Sequence, residues 1–443
     1  MPDIARLTKR TGLIIAGLVA LLPTHGGLAG AAELTVVYSG NLNGELEPCG
    51  CSEEGDLGGI RRRATLLDHL RADRPDLVAL SNGGLLAWDL STDAVKNRFI
   101  LQGMTHLDYD GVGVQWQDLA SGPGLLTESD LPLVASNWLG SDVPTHRTIR
   151  RPAATLAYFH WLDPAGAPQK AMTGGHLPVA AAADALAEAL TKARAAGAIT
   201  VLGSELPIEQ AATALPLDLV DILLVPNGDE RFAEPERRGA TLVLRPGTRG
   251  QRLGVLTLTL DDQSSIAGWR HEVHAMPPTT PEAERLGPWY QAYNDDLRAD
   301  YERRVLVRKM LDSGGSPYRG AETCKDCHAT AFTAWNASPH AGAHGTLTEV
   351  GKAFDPNCLT CHTVGFLEPG GFLDMPLTGH LANVQCESCH GAAAAHADSG
   401  GETPTANKGA APISTCAGCH TGDHSPAFVY DDYWPRIAHG REP

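Results

Sequence analysis

The chain has 443 residues, 43% of them hydrophobic, and a formal charge of −17. That composition excludes a disordered polymer and a small disulfide-knotted peptide, and at about 100–200 residues per domain the length predicts two or three domains. A sequence pI near 5.5 leaves no basic footprint for nucleic-acid phosphates, so no nucleic-acid partner is expected.

The chain opens with Arg6, Lys9 and Arg10, then an apolar run over 13–22, then small residues over 26–32. This is the pattern of a secretory signal peptide, assigned to residues 1–32 with cleavage near Ala31 or Ala32. An apolar run of about ten residues is short of the roughly 20 that span a bilayer, and no later stretch is apolar enough. The mature chain is expected to be periplasmic or otherwise exported, with no transmembrane segment.

From 33 to 276 short β-rich runs alternate with helical ones. Runs over 34–38, 77–80, 133–135, 199–202, 222–225 and 241–244 read as buried strands, and 60–71 and 180–196 as helices. Such alternation predicts an α/β layered domain with its sites at the strand ends. A linker over 277–316 starts at Pro277-Pro278 and holds a helix over 281–310. Trp289, Tyr293, Leu297, Tyr301 and Val305 recur along it at spacings of four, a stripe expected to dock the last region onto the α/β domain.

The last region, 317–443, carries eight of the ten cysteines as four Cys-x-x-Cys-His motifs: Cys324/Cys327/His328, Cys358/Cys361/His362, Cys386/Cys389/His390 and Cys416/Cys419/His420. Two thiols at this spacing bond covalently to the two vinyl groups of a haem, and the adjacent imidazole reaches the iron as proximal ligand. Zinc ribbons and thioredoxin-like pairs share the Cys-x-x-Cys spacing but do not require His after every pair. Four c-type haems are therefore expected, each with roughly 30 residues of protein, so the porphyrins supply much of the core and lie close together. Sixth ligands decide between a closed electron-transfer centre and an open, reactive iron. The candidates are His340, His344, His380, His396, His424 and His439.

The stretches Tyr318-Arg-Gly-Ala-Glu-Thr-Cys-Lys-Asp-Cys-His328, Ala334-Trp-Asn-Ala-Ser-Pro-His340, Val384-Gln-Cys-Glu-Ser-Cys-His-Gly391 and Tyr433-Trp-Pro-Arg-Ile-Ala-His-Gly440 resemble the cytochrome c-554 family of tetrahaem proteins. The resemblance implies His340, His396 and His439 as distal ligands, with His344 and His380 as second choices. It also implies that the haem of the second motif is able to be five-coordinate. Which distal His serves which haem stays open.

In the α/β region, Ser39-Gly-Asn-Leu-Asn-Gly-Glu-Leu-Glu-Pro-Cys-Gly-Cys51, Leu57-Gly-Gly-Ile-Arg-Arg-Arg-Ala64 and Gly247-Thr-Arg-Gly-Gln-Arg-Leu-Gly254 resemble the calcineurin-like metallophosphoesterases of the 5′-nucleotidase type. That family hydrolyses phosphate esters at a dinuclear metal centre. The positions matching its ligands read Asn41 and Asn43, Gly83-Gly84, Gln115-Trp116-Gln117, Glu205 and the run 226–230, which holds Asp229 and Glu230. Amides are weak ligands for divalent metals, so the resemblance implies a pseudoenzyme without a dinuclear metal, although Glu205, Asp229 and Glu230 could hold one ion. Cys49-Gly-Cys51 reads either as a redox or soft-metal pair or as a structural one.

The fold expected is thus an α/β layered metallophosphoesterase-like domain followed by a mainly α, haem-packed tetrahaem cytochrome c domain. The function expected is electron transfer between redox partner proteins. The alternative is a haem redox enzyme acting on a small nitrogen or sulfur compound at a five-coordinate haem.

Overall fold

The computed structural model describes residues 32–49, 56–88, 90–166, 177–227, 232–311, 314–407, 413–421, 425 and 427–439. Nearly all of the assigned signal peptide, together with Cys51, Asp229, Glu230 and His424, lies outside the described residues.

Two six-stranded sheets form the first region. The first runs Ile266–Ala275, Arg252–Leu260, Ala32–Ser39, Val78–Ser81, Gly111–Gly113 and Leu133–Val134, parallel from Ala32–Ser39 onward. The second runs Glu236–Arg238, Thr241–Leu244, Ile222–Leu224, Ile199–Ser204, Thr155–Trp161 and His146–Arg150, with a parallel centre and antiparallel edges.

Side chains alternate across a strand, and this alternation stacks the sheets. Leu34, Val36 and Tyr38 face inward, where they share a core with Tyr158, Val201, Ile222 and Leu244 of the second sheet. Val37 points the other way, into a core with the helices Ile60–Asp73 and Leu90–Thr105. Phe159, Leu202 and Leu223 pack outward against the helix Asp184–Ala195. The result is four layers: helix, sheet, sheet, helix.

Two helix starts differ from the sequence reading. The expected helix over 180–196 begins at Asp184 because Val179 bridges Trp138 and Ala180 N–H donates to the Asn137 carbonyl, which holds that stretch extended. The long helix runs Gly287–Leu311 and not from 281; Glu284–Leu286 form a 3₁₀ turn, and Pro288 occupies a first-turn position where its missing N–H costs nothing.

That helix buries Trp289, Tyr293, Leu297, Tyr301 and Val305, the stripe read from the sequence. Its first half lies on Leu90–Thr105: Trp289 Nε1 donates to the Phe99 carbonyl at 3.1 Å, and the Tyr293 and Phe99 rings lie 5.6 Å apart. Its second half lies on the region of the Cys-x-x-Cys-His motifs: Tyr301 Oη donates to the Leu373 carbonyl at 2.6 Å, and Arg308 donates to the carbonyls of Phe366 and Glu368. One continuous core joins Leu67 and Ile100 to Leu359, Phe366 and Phe372. Each fully buried large apolar side chain contributes about 1.5–3 kcal/mol, so the five-residue stripe alone is a substantial weld.

The region of the Cys-x-x-Cys-His motifs is built of short helices, among them Ala321–Cys324, Ala329–Asn336, Ala343–Glu349, Pro356–His362, Cys386–His390 and Ile413–Ala417. Among the described residues no helix is long and apolar enough to cross a membrane.

Candidate functional site

In the α/β region, loops leaving the C-terminal ends of parallel strands converge, as they do in layered α/β folds. Asn41 and Asn43 follow Ala32–Ser39, Gly83 and Gly84 follow Val78–Ser81, Gln115 and Gln117 follow Gly111–Gly113, and Glu205 follows Ile199–Ser204. Gly84 has φ 68°, and a Cβ there would stand 2.6 Å from Asn41 Cγ, so this close approach needs glycine.

The converged side chains satisfy one another. Asn41 Nδ2 donates to Gln115 Oε1 at 3.0 Å, and Gln115 Nε2 donates back to Asn41 Oδ1 at 2.9 Å. Gln117 Nε2 donates to Asn43 Oδ1 at 3.2 Å and to the carbonyls of Gly84 and Leu86 at 2.9 and 3.0 Å. Glu205 accepts the backbone N–H groups of Trp116 and Asp163 at 2.7 and 3.1 Å; burial pushes its carboxyl up to about 8, against the pull of those two bonds. Asp118, absent from the sequence reading, is buried at the centre and accepts four backbone N–H groups, from Gly84, Leu85, Leu86 and Gln115. Burial pushes its carboxyl up as well. Beside the site His160 is fully buried, donates Nε2–H to the Asn82 carbonyl at 3.0 Å, and is held neutral by burial, its imidazole pushed down to about 3.

A two-metal centre does not fit these residues. The amide oxygens of Asn41 and Asn43 are engaged, both Glu205 oxygens face backbone donors, and among the described residues no group of three or more His, Cys, Asp or Glu side chains is arranged to hold a metal ion. Of the Cys49-Gly-Cys51 pair, the described part is the short strand Pro48–Cys49, paired with Leu57–Gly58.

The cytochrome region is organised differently. Its eight motif sulfurs are unbridged, seven of them half-buried and Cys327 exposed. Three motif imidazoles each face one other imidazole across a similar gap: His328 and His396 have ring centroids 6.0 Å apart, His390 and His439 5.9 Å, and His420 and His340 6.2 Å. His362 has no imidazole partner of this kind among the described residues. His344 lies near it, buried, with its ring 5.6 Å from Phe372. His380 is exposed, and its backbone carbonyl lies against Gly320.

Several of these rings are oriented through Nδ1. His362 Nδ1–H donates to the Ala343 carbonyl at 2.6 Å, His396 to Thr403 at 2.8 Å, His439 to Ile437 at 3.0 Å and His390 to Asn407 at 3.4 Å. A carbonyl only accepts, so the proton sits on Nδ1 and the Nε2 lone pair is left for a metal. Burial also holds His340, His344, His390 and His420 below the usual imidazole range, favouring the neutral form that ligates. An iron bonded to two imidazole nitrogens at about 2 Å each would set the ring centroids roughly 6 Å apart, so the three pairs fit a haem iron.

The motifs are interleaved. Cys324 of the first lies within hydrogen-bonding reach of Cys386 of the third, and Cys361 of the second within reach of Cys419 of the fourth. Cys389 and Cys416 are electrostatic neighbours across the third and fourth. Glu387, inside the third motif and 4% exposed, ties it to the first by accepting N–H from Arg319 and from Gly320, the latter at 2.8 Å. Gln385 adds a bond from Ala321 N–H at 2.5 Å. Neither residue was singled out from the sequence; a carboxylate between two haem cysteines was the available signal.

Fold and site together describe a two-sheet α/β region of metallophosphoesterase type joined to a helical region that carries the four Cys-x-x-Cys-His motifs. Residues 323–391 match the family model described as Cytochrome c554 and c-prime, which implies a c-type haem cofactor. Cytochrome c-554 of Nitrosomonas europaea is 30% identical over 91 residues, which are 17% of this chain and 39% of that protein. The chain therefore spans well under half of that relative. For the α/β region, sulfate thiohydrolase SoxB of Thermus thermophilus superposes with a TM-score of 0.52 at 20% identity, covering 60% of this chain and 61% of that one. A 5′-nucleotidase precursor, also from Thermus thermophilus, superposes with a TM-score of 0.50 at 17% identity, covering 60% and 59%. At these identities the likeness shows the fold.

Proposed function

We propose that this chain is an exported tetrahaem c-type cytochrome that passes electrons between redox proteins, and that its phosphoesterase-like region, 33–276, does not hydrolyse phosphate esters. The observation that carries the first part is the set of three imidazole pairs, each joining one Cys-x-x-Cys-His histidine to one of the distal candidates His340, His396 and His439. On this reading His328 and His396 hold the first iron, His390 and His439 the third, and His420 and His340 the fourth. Each haem supplies a one-electron Fe(III)/Fe(II) couple, and the protein's part is to hold the first, third and fourth irons closed and all four near one another. The sulfur proximities set the first motif beside the third and the second beside the fourth, which supports close spacing of the haems. Residues 1–32 act as the signal peptide that brings the chain to the compartment of haem attachment.

The second part is supported by the reciprocal hydrogen bonds of the Asn41 and Gln115 amides and by the one that Gln117 Nε2 donates to Asn43 Oδ1, which engage the oxygens a metal would need. Purified full-length protein tests both parts. Four haems per chain, reduced and reoxidised without loss, are expected, with no phosphatase turnover on added divalent metal. Fewer than four haems, or metal-dependent turnover, would refute the corresponding part.

A second reading is favoured by one observation: His362 lacks a paired imidazole among the described residues. Its iron would keep an open position, and the chain would be a haem redox enzyme for a small nitrogen or sulfur compound. Nitric oxide binding to one haem of the reduced protein, with turnover, supports this reading; binding without turnover leaves the carrier.

A further inference from the structure

The α/β region reaches the cytochrome region just ahead of the second Cys-x-x-Cys-His motif, and it does so with charge. Lys352 Nζ lies 2.7 Å from Glu47 Oε1 and donates to Asn294 Oδ1 of the long helix at 2.7 Å. Asn357, the residue before Cys358, donates Nδ2–H to Asp93 Oδ1 at 3.1 Å. Asp93, 6% exposed, also holds Lys96 Nζ at 3.2 Å. Asp355, 5% exposed, caps the helix Pro356–His362 by accepting Asn357 N–H at 3.0 Å, and it feels the charges of Lys96, Glu47 and Lys352. Tyr290 Oη donates to Glu47, and the Lys352 ammonium stands 5.3 Å from the centroids of Tyr290 and Tyr293.

Five charged side chains are thus gathered under the helix that carries Cys358, Cys361 and His362. Packing alone does not call for them: an apolar contact of the same size is as stable or more so, and the stripe of the long helix already provides one. Asp93 and Asp355 are buried and Glu47, Lys96 and Lys352 half-buried, and charges so withdrawn from water act on their neighbours through a lower effective dielectric and are screened less by salt than surface pairs. Buried charge near a haem is one of the protein's levers on its reduction potential.

We infer that the α/β region is a fixed electrostatic wall of the second haem's site, with Glu47, Asp93 and Lys96 as positioning residues that set the potential of that haem and not of the other three. The inference rests on the four-haem reading. Reduction adds an electron to the iron, so a nearby carboxylate opposes it and a nearby ammonium favours it. Removing the Lys96 charge therefore lowers the potential, and removing the Glu47 charge raises it.

The test is a spectropotentiometric titration of the full-length holoprotein, with haem counted per chain on the same samples. One and the same of four midpoint potentials is expected to fall in Lys96→Met and to rise in Glu47→Gln, at low and high salt alike, while the other three hold. Lys96→Arg keeps the charge and is expected to leave all four in place, as is Lys192→Met at an exposed ion pair with Glu188. If Lys96→Met fails to fold, Glu47→Gln and Lys96→Arg still decide the matter. Four unmoved potentials, a uniform shift of all four, or shifts of the same sign in Lys96→Met and Glu47→Gln would overturn the inference. Fewer than four haems in the unaltered protein would overturn the haem reading instead.

Discussion

The two regions treat their chemistry-bearing residues in opposite ways. In the α/β region the side chains at the strand ends close on one another, Asn41 on Gln115, Gln117 on Asn43, Glu205 and Asp118 on backbone N–H groups. In the region of the Cys-x-x-Cys-His motifs the sulfurs stand unbridged and three imidazole pairs have ring centroids 5.9–6.2 Å apart. A buried polar group without a partner is costly. The polar groups at the α/β strand ends thus satisfy one another, whereas His362, His396 and His439 are oriented through Nδ1 with Nε2 left for a metal.

The sharpest way to press on this contrast is to remove a haem. Cys386→Ser with Cys389→Ser is expected to lower the haem count by one per chain and to unfold much of the cytochrome region, since the porphyrin replaces apolar core; haem quantification and circular dichroism read both. Next in size, His396→Ala should leave the first haem attached but open its iron, adding one high-spin centre by electron paramagnetic resonance. In the α/β region, Gln115→Glu should bring no metal and should lower stability by about 1–3 kcal/mol in denaturant titration, because it sets a buried carboxylate against the Asn82 carbonyl and Asn41 Oδ1, to which the amide donates.

A pH effect also separates the regions. The Glu205 carboxyl, raised to about 8 in the fold, holds its proton more tightly folded than unfolded. Its contribution to stability is whole below the ordinary carboxyl value of about 4.3 and is lost as pH rises through about 8. Thermal unfolding of the α/β region should therefore shift to lower temperature across that window, and Glu205→Gln should flatten the slope. Smallest of all, Tyr301→Phe removes the hydrogen bond to the Leu373 carbonyl and is expected to cost about 0.5–1.5 kcal/mol in a denaturant titration.

How much was legible in the sequence follows the range of the interactions. The four Cys-x-x-Cys-His motifs are local, and the stripe Trp289, Tyr293, Leu297, Tyr301 and Val305 repeats on one helix, so both could be read without a structure. Period-two and continuous apolar runs marked the strands at 34–38, 199–202 and 241–244. Thr155–Trp161, beside the edge strand His146–Arg150 of the second sheet, is not legible because a strand buried on both faces shows no alternation and its His160 reads as polar. The partner of each motif histidine was not legible either: His420 meets His340 and His390 meets His439 only once the short helices are packed. The same holds for Asp118, whose four N–H bonds come from residues on two loops. Lys352, Asp355 and Asn357 gain their meaning from Glu47, Asp93 and Lys96, which lie far back in the chain.

The most direct test of the account is the electron paramagnetic resonance spectrum of the oxidised full-length protein, integrated against haem content. Three low-spin haems and one with an open position are predicted, the open one assigned to the second motif by loss of its signal in His362→Ala. Four low-spin haems would contradict the account by giving His362 a distal partner, and two or more open haems would contradict the three imidazole pairs.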